Sequence, residues 1–320
     1  VIIPTHNRKQ KLTSLLQSIA LQSFDHRYFE IIVVATANDP AYEVQPPESL
    51  VPNYRIVTIP SDPTKGRSAS AKRNYGAEQS HAPWLAMIDD DCVADSEWLA
   101  NALKIIEAKQ CSGIEGHTII PTPEKKTLTY KGMQRLSRPG GYQTCNIFYK
   151  KEDFINLGGF DLNFPFYLED TDWAWTLLES GKKIAFGENV KVQHPVPEPE
   201  PQRLLQNAIR MRKLPYLAKK HPETYKHSKM RAYPRPYALL VLFDILCFAF
   251  LTLMQFQLAF LFLGARLLIT LAYIVRLFLG QHWTIKEVSA TFFYTCIGPI
   301  IGLFQLMRGN WEQRTFLFLR

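Results

Sequence analysis

The chain of 320 residues is 47% hydrophobic and 21% charged, enough to bury a core and long enough for one large domain or a domain with an appendage. Its formal net charge of +8 conceals a division: residues 203–320 hold 16 Lys/Arg against 4 Asp/Glu, a net of +12, leaving 21 against 25, a net of −4, for residues 1–202. The cysteines, Cys92, Cys111, Cys145, Cys247 and Cys296, are scattered and form no CxxC pair, which argues against paired-cysteine zinc or redox work and favours a reduced compartment.

The first predicted strand, "VIIPT", starts at the first residue, and no basic, apolar, cleavable leader is visible before it. Leu12, Leu15, Leu16 and Ile19 then recur at helical spacing. "FEIIVVATA" reads as a second, buried strand and "RIVTI" as a third, and "SASAKRNYGAEQ" reads as a helix after a Gly-containing loop. "PWLAMIDDD" is a fourth strand, followed by a helix expected from about Asp95, whose side chain can cap it. Strands alternating with helices imply an α/β fold with a mostly parallel sheet, in which ligands sit at the carboxyl ends of strands. "PTHNR", "NDP" and "DDD" all fall at such ends and are expected to converge on one cleft.

The triplet Asp89, Asp90 and Asp91 sets three like charges at the end of an apolar strand, a poor turn but a good site for a hard divalent cation. Mg²⁺ favours one or two protein carboxylates together with substrate phosphates. The other signals have plainer readings beside them. The Pro-Thr-His-Asn segment is also readable as a turn with its own side-chain hydrogen bonds, and Arg73 as a solvated helix residue. A second acidic group, "YLEDTDWAW", opens a helix expected to turn Trp173, Leu177 and Leu178 inward. Acids in a first helical turn interact favourably with the helix dipole, which accounts for Asp172 but not for the two acids preceding it.

Together, "VIIPTHNR", "GRSASAKRNYGAEQS", "MIDDDCVADSEWL" and "GGFDLNFPFYLEDTDWAWTLLESG" resemble, in order and spacing, the family 2 glycosyltransferases of GT-A fold, over about residues 1–195. The resemblance implies a Rossmann-like mixed sheet flanked by helices and an inverting transfer of sugar from a UDP-, GDP- or dTDP-sugar donor, dependent on Mg²⁺ or Mn²⁺. It maps the DxD motif to Asp89 and Asp91, with Asp91 the principal metal ligand, Asp89 sharing that role, and Asp89 and Asp90 lying toward ribose and donor sugar. His194, after "VKVQ", takes the place of a further metal ligand, although a lone His after a strand is equally readable as structural. Nucleobase and ribose contacts are expected from Pro4, Thr5, Asn7, Arg8, Lys72 and Arg73. Many relatives follow the second strand with an Asp where this chain has Ala35, so Asp39 is the expected substitute. Thr144 and Asn146, in "GGYQTCNIFYKKEDF", and Glu169 are expected at the donor sugar, with Cys145 a packed small residue rather than a nucleophile. Asp170 corresponds to the catalytic base, which takes the proton of an acceptor hydroxyl as that oxygen attacks opposite the diphosphate.

The Pro-rich "PVPEPEPQ" marks a boundary, dividing the chain into a catalytic domain at 1–195, a linker and basic segment at 196–235 and a membrane-associated helical region at 236–320. Residues 203–235 carry ten Lys/Arg against the single acid Glu223 and lead into about 45 nearly continuous apolar residues, twice the roughly 20 that cross a bilayer. No nucleic-acid module is recognisable, so membrane attachment is the preferred reading and no nucleic-acid partner is expected. Two or three membrane segments are expected: residues 236–254 and 258–279 as a hairpin turning near Gln255 and Gln257, with or without 288–307 as a third. Asp244, Arg266 and Arg276 are costly in hydrocarbon and either pair with one another or lie in the interface. Polybasic flanks face the cytoplasm, which predicts a cytoplasmic catalytic domain on a bacterial inner membrane.

A lipid-linked or glycan acceptor in envelope or exopolysaccharide assembly follows from this location. The QxxRW motif of processive synthases has no match, since Gln206 and Arg210 in "QNAIRM" have the wrong spacing and no Trp, so one sugar per encounter is expected. Two alternatives stand beside this reading. A metal-dependent nucleotidyltransferase would not need the acids at "YLED", and an inactive membrane scaffold would not need intact acids at all three sites.

Overall fold

The computed structural model describes residues 1–60, 68–164, 167–228 and 230–317. The chain divides into two compact units, Val1–Pro121 with Met133–Val196, and Thr122–Gly132 with Pro197–Arg320. The assignment of Thr122–Gly132 to the second unit left no mark in the sequence.

The first unit runs β1 (Ile2–Pro4), α1 (Lys9–Ala20), β2 (Ile31–Ala35), β3 (Tyr54–Thr58), α2 (Ala69–Gln79), β4 (Trp84–Ile88), β5 (Val93–Ala94), α3 (Trp98–Ala108) and β6 (Gly113–Ile119). After a short helix α4 (Leu128–Met133), which straddles the division, come β7 (Asn146–Lys150), α5 (Lys151–Asn156), α6 (Glu169–Glu179) and β8 (Ile184–Gln193). The strands form one sheet in the order β3-β2-β1-β4-β7-β6-β8-β5. The first four are parallel, as helical crossovers require, whereas β7 runs antiparallel to both β4 and β6, so the sheet is mixed.

Local sequence explains the layers. Ile31, Val33 and Ala35 of β2 enter one core, with Leu12, Leu15, Leu16 and Ile19 of α1, while Ile32 and Val34 enter the other with Ala71 of α2. A strand covered on both faces needs an unbroken apolar run rather than alternation. Each fully buried Leu or Ile of α1 contributes about 1.5–3 kcal/mol. Gly76 lets α2 lie close on β1, because a Cβ there would stand 2.7 Å from Ile2 Cγ2. Trp173 and Leu177 of α6 pack with Phe154, Phe160 and Tyr149.

Two local expectations change. Leu178 is 36% exposed, so only Trp173 and Leu177 of the expected trio face the core. α3 begins at Trp98 rather than near Asp95; the Asp95 carboxylate accepts from Glu97 N at 3.0 Å and its carbonyl from Trp98 N at 3.0 Å, shaping the turn before the helix. The Gly-containing loop expected before α2 lies outside the described residues.

In the second unit, α7 (Arg203–Arg210), α8 (Leu214–Lys220) and α9 (Pro222–His227) precede α10 (Arg235–Thr252), α11 (Phe256–Phe278) and α12 (Ile285–Gln313). The last three are long and apolar enough to cross a membrane, by length and composition. α10 and α11 are separated at Leu253–Gln255, where Met254 adopts a left-handed φ of 58°; of the two residues expected near the turn, Gln255 lies in it and Gln257 is already in α11. α12 extends beyond the expected 288–307 at both ends and starts with a reciprocal cap between Thr284 and Glu287. Asp244 and Arg266 form an ion pair between α10 and α11, and Arg266 Nη2 also donates to the Cys296 carbonyl of α12 at 2.8 Å. Arg276 stays exposed near the end of α11.

Candidate active site

The aspartate triplet leaves the carboxyl end of β4 in a turn closed by Cys92 N donating to Asp89 O at 3.1 Å. Its three side chains diverge. Asp90 turns inward, where it accepts from Thr5 Oγ1 at 2.7 Å and Arg8 Nη1 at 3.0 Å. Burial pushes its carboxyl pKa up, against the lowering effect of Thr5 and Arg8. Asp91 accepts from Arg8 Nη1 at 3.2 Å and Lys11 Nζ at 3.3 Å. Asp89 accepts from Arg73 Nη2 at 2.5 Å. Protein cations therefore meet each carboxylate, and the repulsion among them is offset within the fold.

The segment after β1 is held from two sides. Asp39, buried, accepts from the Asn7 amide at 3.1 Å and the Ala41 amide at 3.0 Å, with His6 Nδ1 at 3.5 Å. Asp39 therefore clamps the β1 loop to the segment after β2, and Asn7 takes a left-handed φ of 55°. Lys72 reaches from α2 to donate to the Thr5 carbonyl, and burial lowers its pKa despite the nearby Asp39 and Asp90. Pro4 ends β1, so Pro4, Thr5, Asn7, Arg8, Asp39 and Lys72 come together at the carboxyl ends of β1 and β2. A cleft of about 490 Å³ opens beside them, lined by Ala37, Asn38, Asp39, Pro40, Tyr42, Glu43 and Thr58.

The second acidic group starts α6 directly after Leu168, which has a left-handed φ of 73° and no side-chain cap. Such a conformation costs a non-glycine residue on the order of 1–3 kcal/mol, and here the buried Leu168 side chain holds it in place. Asp170 Oδ1 accepts from Thr171 N at 2.7 Å and Thr171 Oγ1 at 3.3 Å. Burial raises the Asp170 pKa and, together with the neighbouring Asp170 charge, pushes Glu169 up to about 7. The charge of Arg73 acts against both shifts. Arg73 is itself buried, and its Nε and Nη1 have no hydrogen-bond partner among the described residues. The reading of Arg73 as a solvated helix residue is thereby replaced: one guanidinium bonds Asp89 and balances the acid pair of α6.

His194 follows β8, held by its amide donating to Ile119 O at 2.9 Å. Its Nδ1 lies 2.9 Å from Pro195 O and its Nε2 3.8 Å from Asp91 Oδ1. A proton on Nδ1 leaves the Nε2 lone pair directed to the carboxylate side. Ligand atoms of Asp91, Cys92 and His194 lie within 4.8 Å of one another, so these residues fit a divalent cation. Asp89, paired with Arg73, stands outside that cluster.

The segment before β7 contains a residue that the motifs missed. Glu115 of β6, buried, accepts from the amides of Gly140, Gly141 and Tyr142 at 2.7, 2.9 and 2.7 Å and so fixes the loop leading to Thr144. A lone acid inside the apolar "SGIEGHTII" was its only sequence signal. Thr144 is buried. Asn146 is committed within the fold, accepting from Trp98 Nε1 at 2.9 Å and donating to Val190 O at 2.9 Å, rather than offering its amide to a ligand. Cys145 packs as a small free thiol 3.7 Å from Thr118 Oγ1; its thiol neighbourhood, with burial, raises the Cys92 thiol pKa well above its ordinary range.

The family model described as Glycosyl transferase family 2 matches residues 1–169. An uncharacterized glycosyltransferase of Haemophilus influenzae is 28% identical over 191 residues, 56% of this chain and 61% of the relative. Glycosyltransferase AglE of Haloferax volcanii is 24% identical over 204 residues, 61% of this chain and 66% of the relative. The matched region thus spans less than two thirds of either relative. Among solved structures, mannosyltransferase PcManGT from Pyrobaculum calidifontis, in complex with GDP-Man and Mn²⁺, superposes with a TM-score of 0.56 at 16% identity, covering 98% of this chain and 86% of the other. Residues 1–349 of S. aureus TarS with UDP-GlcNAc superpose with a TM-score of 0.51 at 15% identity, covering 98% and 91%. The mixed sheet is the GT-A arrangement of these neighbours.

Proposed function

The chain belongs to glycosyl transferase family 2, and from that premise we propose that it moves a sugar, with inversion, from a nucleotide-diphospho-sugar to a hydroxyl of a membrane-linked acceptor. The observation that carries the reading is the position of Arg73, which bonds Asp89 of the triplet and balances Glu169 and Asp170. A leaving-group site and a base thus share one buried cation. The donor's base and ribose fit the cleft lined by Asp39, whose carboxylate also holds the β1 loop through the Asn7 amide.

Asp91 and His194 would hold Mg²⁺ or Mn²⁺, which when bound neutralises charge gathering on the departing diphosphate. Asp170 takes the acceptor proton. Its burial-raised pKa suits that task, because a base is most effective when its pKa approaches the working pH. The relatives' names support the donor and acceptor classes: GDP-Man and UDP-GlcNAc accompany the structural neighbours, and another Haloferax volcanii relative, 23% identical, is a glucosyl-dolichyl phosphate glucuronosyltransferase. Helices α10–α12 and the basic segment before them favour a lipid-linked acceptor at a bacterial inner membrane, with the catalytic unit cytoplasmic.

Asp170→Asn tests the assignment. Turnover should fall about 10²–10⁴-fold while donor binding, read by thermal shift, is retained. Unchanged turnover removes Asp170 from its role. Incubation with nucleotide sugars should release nucleoside diphosphate and yield product of inverted anomeric configuration. Pyrophosphate released from a nucleoside triphosphate and a sugar phosphate would instead favour the nucleotidyltransferase.

A further inference from the structure

The cation site contains an atom that hard-ion chemistry does not require. Cys92 Sγ lies within 4.8 Å of ligand atoms of both Asp91 and His194. Its position is fixed by the turn that bonds its amide to Asp89 O at 3.1 Å and by burial in the main core, which it shares with Cys145. The sulfur cannot easily swing away, and nothing in sugar transfer uses it. A carboxylate, an imidazole and a thiol on one centre form the mixed N/O/S set that suits Zn²⁺, whereas Mg²⁺ and Mn²⁺ prefer oxygen. Tetrahedral Zn²⁺, with bonds of about 2.0–2.3 Å, needs its ligand atoms roughly 3.3–3.8 Å apart, a closure of about an ångström or so from the present limit.

We propose that Asp91, Cys92 and His194 form a three-residue site for a thiophilic divalent cation, Zn²⁺, which competes with the donor-bearing ion. On binding, the cation displaces the Cys92 proton to solvent and gains a sulfur bond. Three protein ligands leave a tetrahedral ion one open position, where a hard octahedral ion would have several for diphosphate oxygens and water. Zn²⁺ therefore holds the site without supporting transfer. The inference shares Asp91 and His194 with the donor-cation reading above and adds Cys92.

The test is zinc X-ray absorption on the full chain in detergent with one equivalent of Zn²⁺, beside Mn²⁺ and Zn²⁺ titrations by calorimetry. The expected spectrum has one sulfur scatterer at about 2.3 Å among nitrogen and oxygen. Cys92→Ser should remove it and weaken Zn²⁺ by about 10-fold or more, with Mn²⁺ affinity nearly unchanged. A chain changed at Cys111, Cys145, Cys247 and Cys296 to Ser, leaving Cys92 as its sole thiol, should keep the scatterer; this second variant decides the matter if Cys92→Ser does not fold. A shell of nitrogen and oxygen alone in the unchanged chain, or a sulfur signal that persists in Cys92→Ser, overturns the proposal. Failure of the unchanged chain to bind Mn²⁺ would sink the donor-cation reading instead, leaving the sulfur ligand standing.

Discussion

Arg73 is the residue on which the charge balance of the catalytic unit turns. It holds Asp89 at 2.5 Å, and its charge opposes the upward shifts that burial imposes on Glu169 and Asp170. Arg73→Gln removes that opposition, so both carboxyl pKa values rise further and the acid limb of the pH–kcat profile should move to higher pH. An unmoved limb would dissociate Arg73 from the base. Glu169 makes a separate prediction about stability. Its folded pKa, about 7, stands above the ordinary 4.5, so the folded chain holds this proton more tightly than the unfolded one. The resulting stabilisation is fully present below about pH 4.5 and is lost as the pH rises through about 7. Glu169→Gln should therefore raise Tm at about pH 8, with the gain vanishing toward about pH 4.5. Equal effects at both pH values would contradict this linkage.

At the scale of elements, α2 carries Lys72 and Arg73 to the site, and its height above β1 is set by Gly76. Gly76→Ala brings a Cβ to 2.7 Å from Ile2 Cγ2 and 3.1 Å from Val34 Cγ2, both on buried strands. Overpacking of this kind costs about 1–3 kcal/mol, which urea denaturation should register as a lowered midpoint. The shift of α2 should also weaken donor binding. An undisturbed midpoint would mean that the strands yield. Much at this scale was legible in the sequence, since the apolar period of α1 and the unbroken run of β2 follow from what each element must bury. Asp39 was legible only as a position. Its bond from the Ala41 amide is a local turn contact, but its bond from the Asn7 amide arises where chain segments more than thirty residues apart meet, and no local pattern encodes that.

At the scale of the whole molecule, the apolar unit hides a charge pair that helix length and hydropathy alone would discourage. Arg266 joins α10, α11 and α12 through Asp244 and the Cys296 carbonyl. Removing one partner of this part-buried pair leaves the other charge uncompensated, whereas replacing both partners by apolar groups is often neutral or stabilising. Arg266→Leu should therefore lower the melting temperature in detergent, and Asp244→Leu in the same chain should restore it. Additive losses would show that the two charges act independently.

What the sequence determined by itself is what short range decides: the α/β alternation, the aspartates at a strand end, the acid pair at a helix start, and an apolar region behind a basic segment. These features need only composition, period and adjacency. The tertiary structure alone decided the partners, because they depend on which distant segments the sheet order brings side by side. β4 lies next to β7, which runs against it, and β8 lies two strands further along. That order sets His194 3.8 Å from Asp91, buries Arg73 against Asp89, gives Glu115 three backbone amides to hold and commits the Asn146 amide to Trp98 and Val190. Asp89, Asp90 and Asp91, identical in type and consecutive in the chain, thereby acquire different neighbours: Arg73 for the first, Thr5 and Arg8 for the second, and Arg8, Lys11 and His194 for the third.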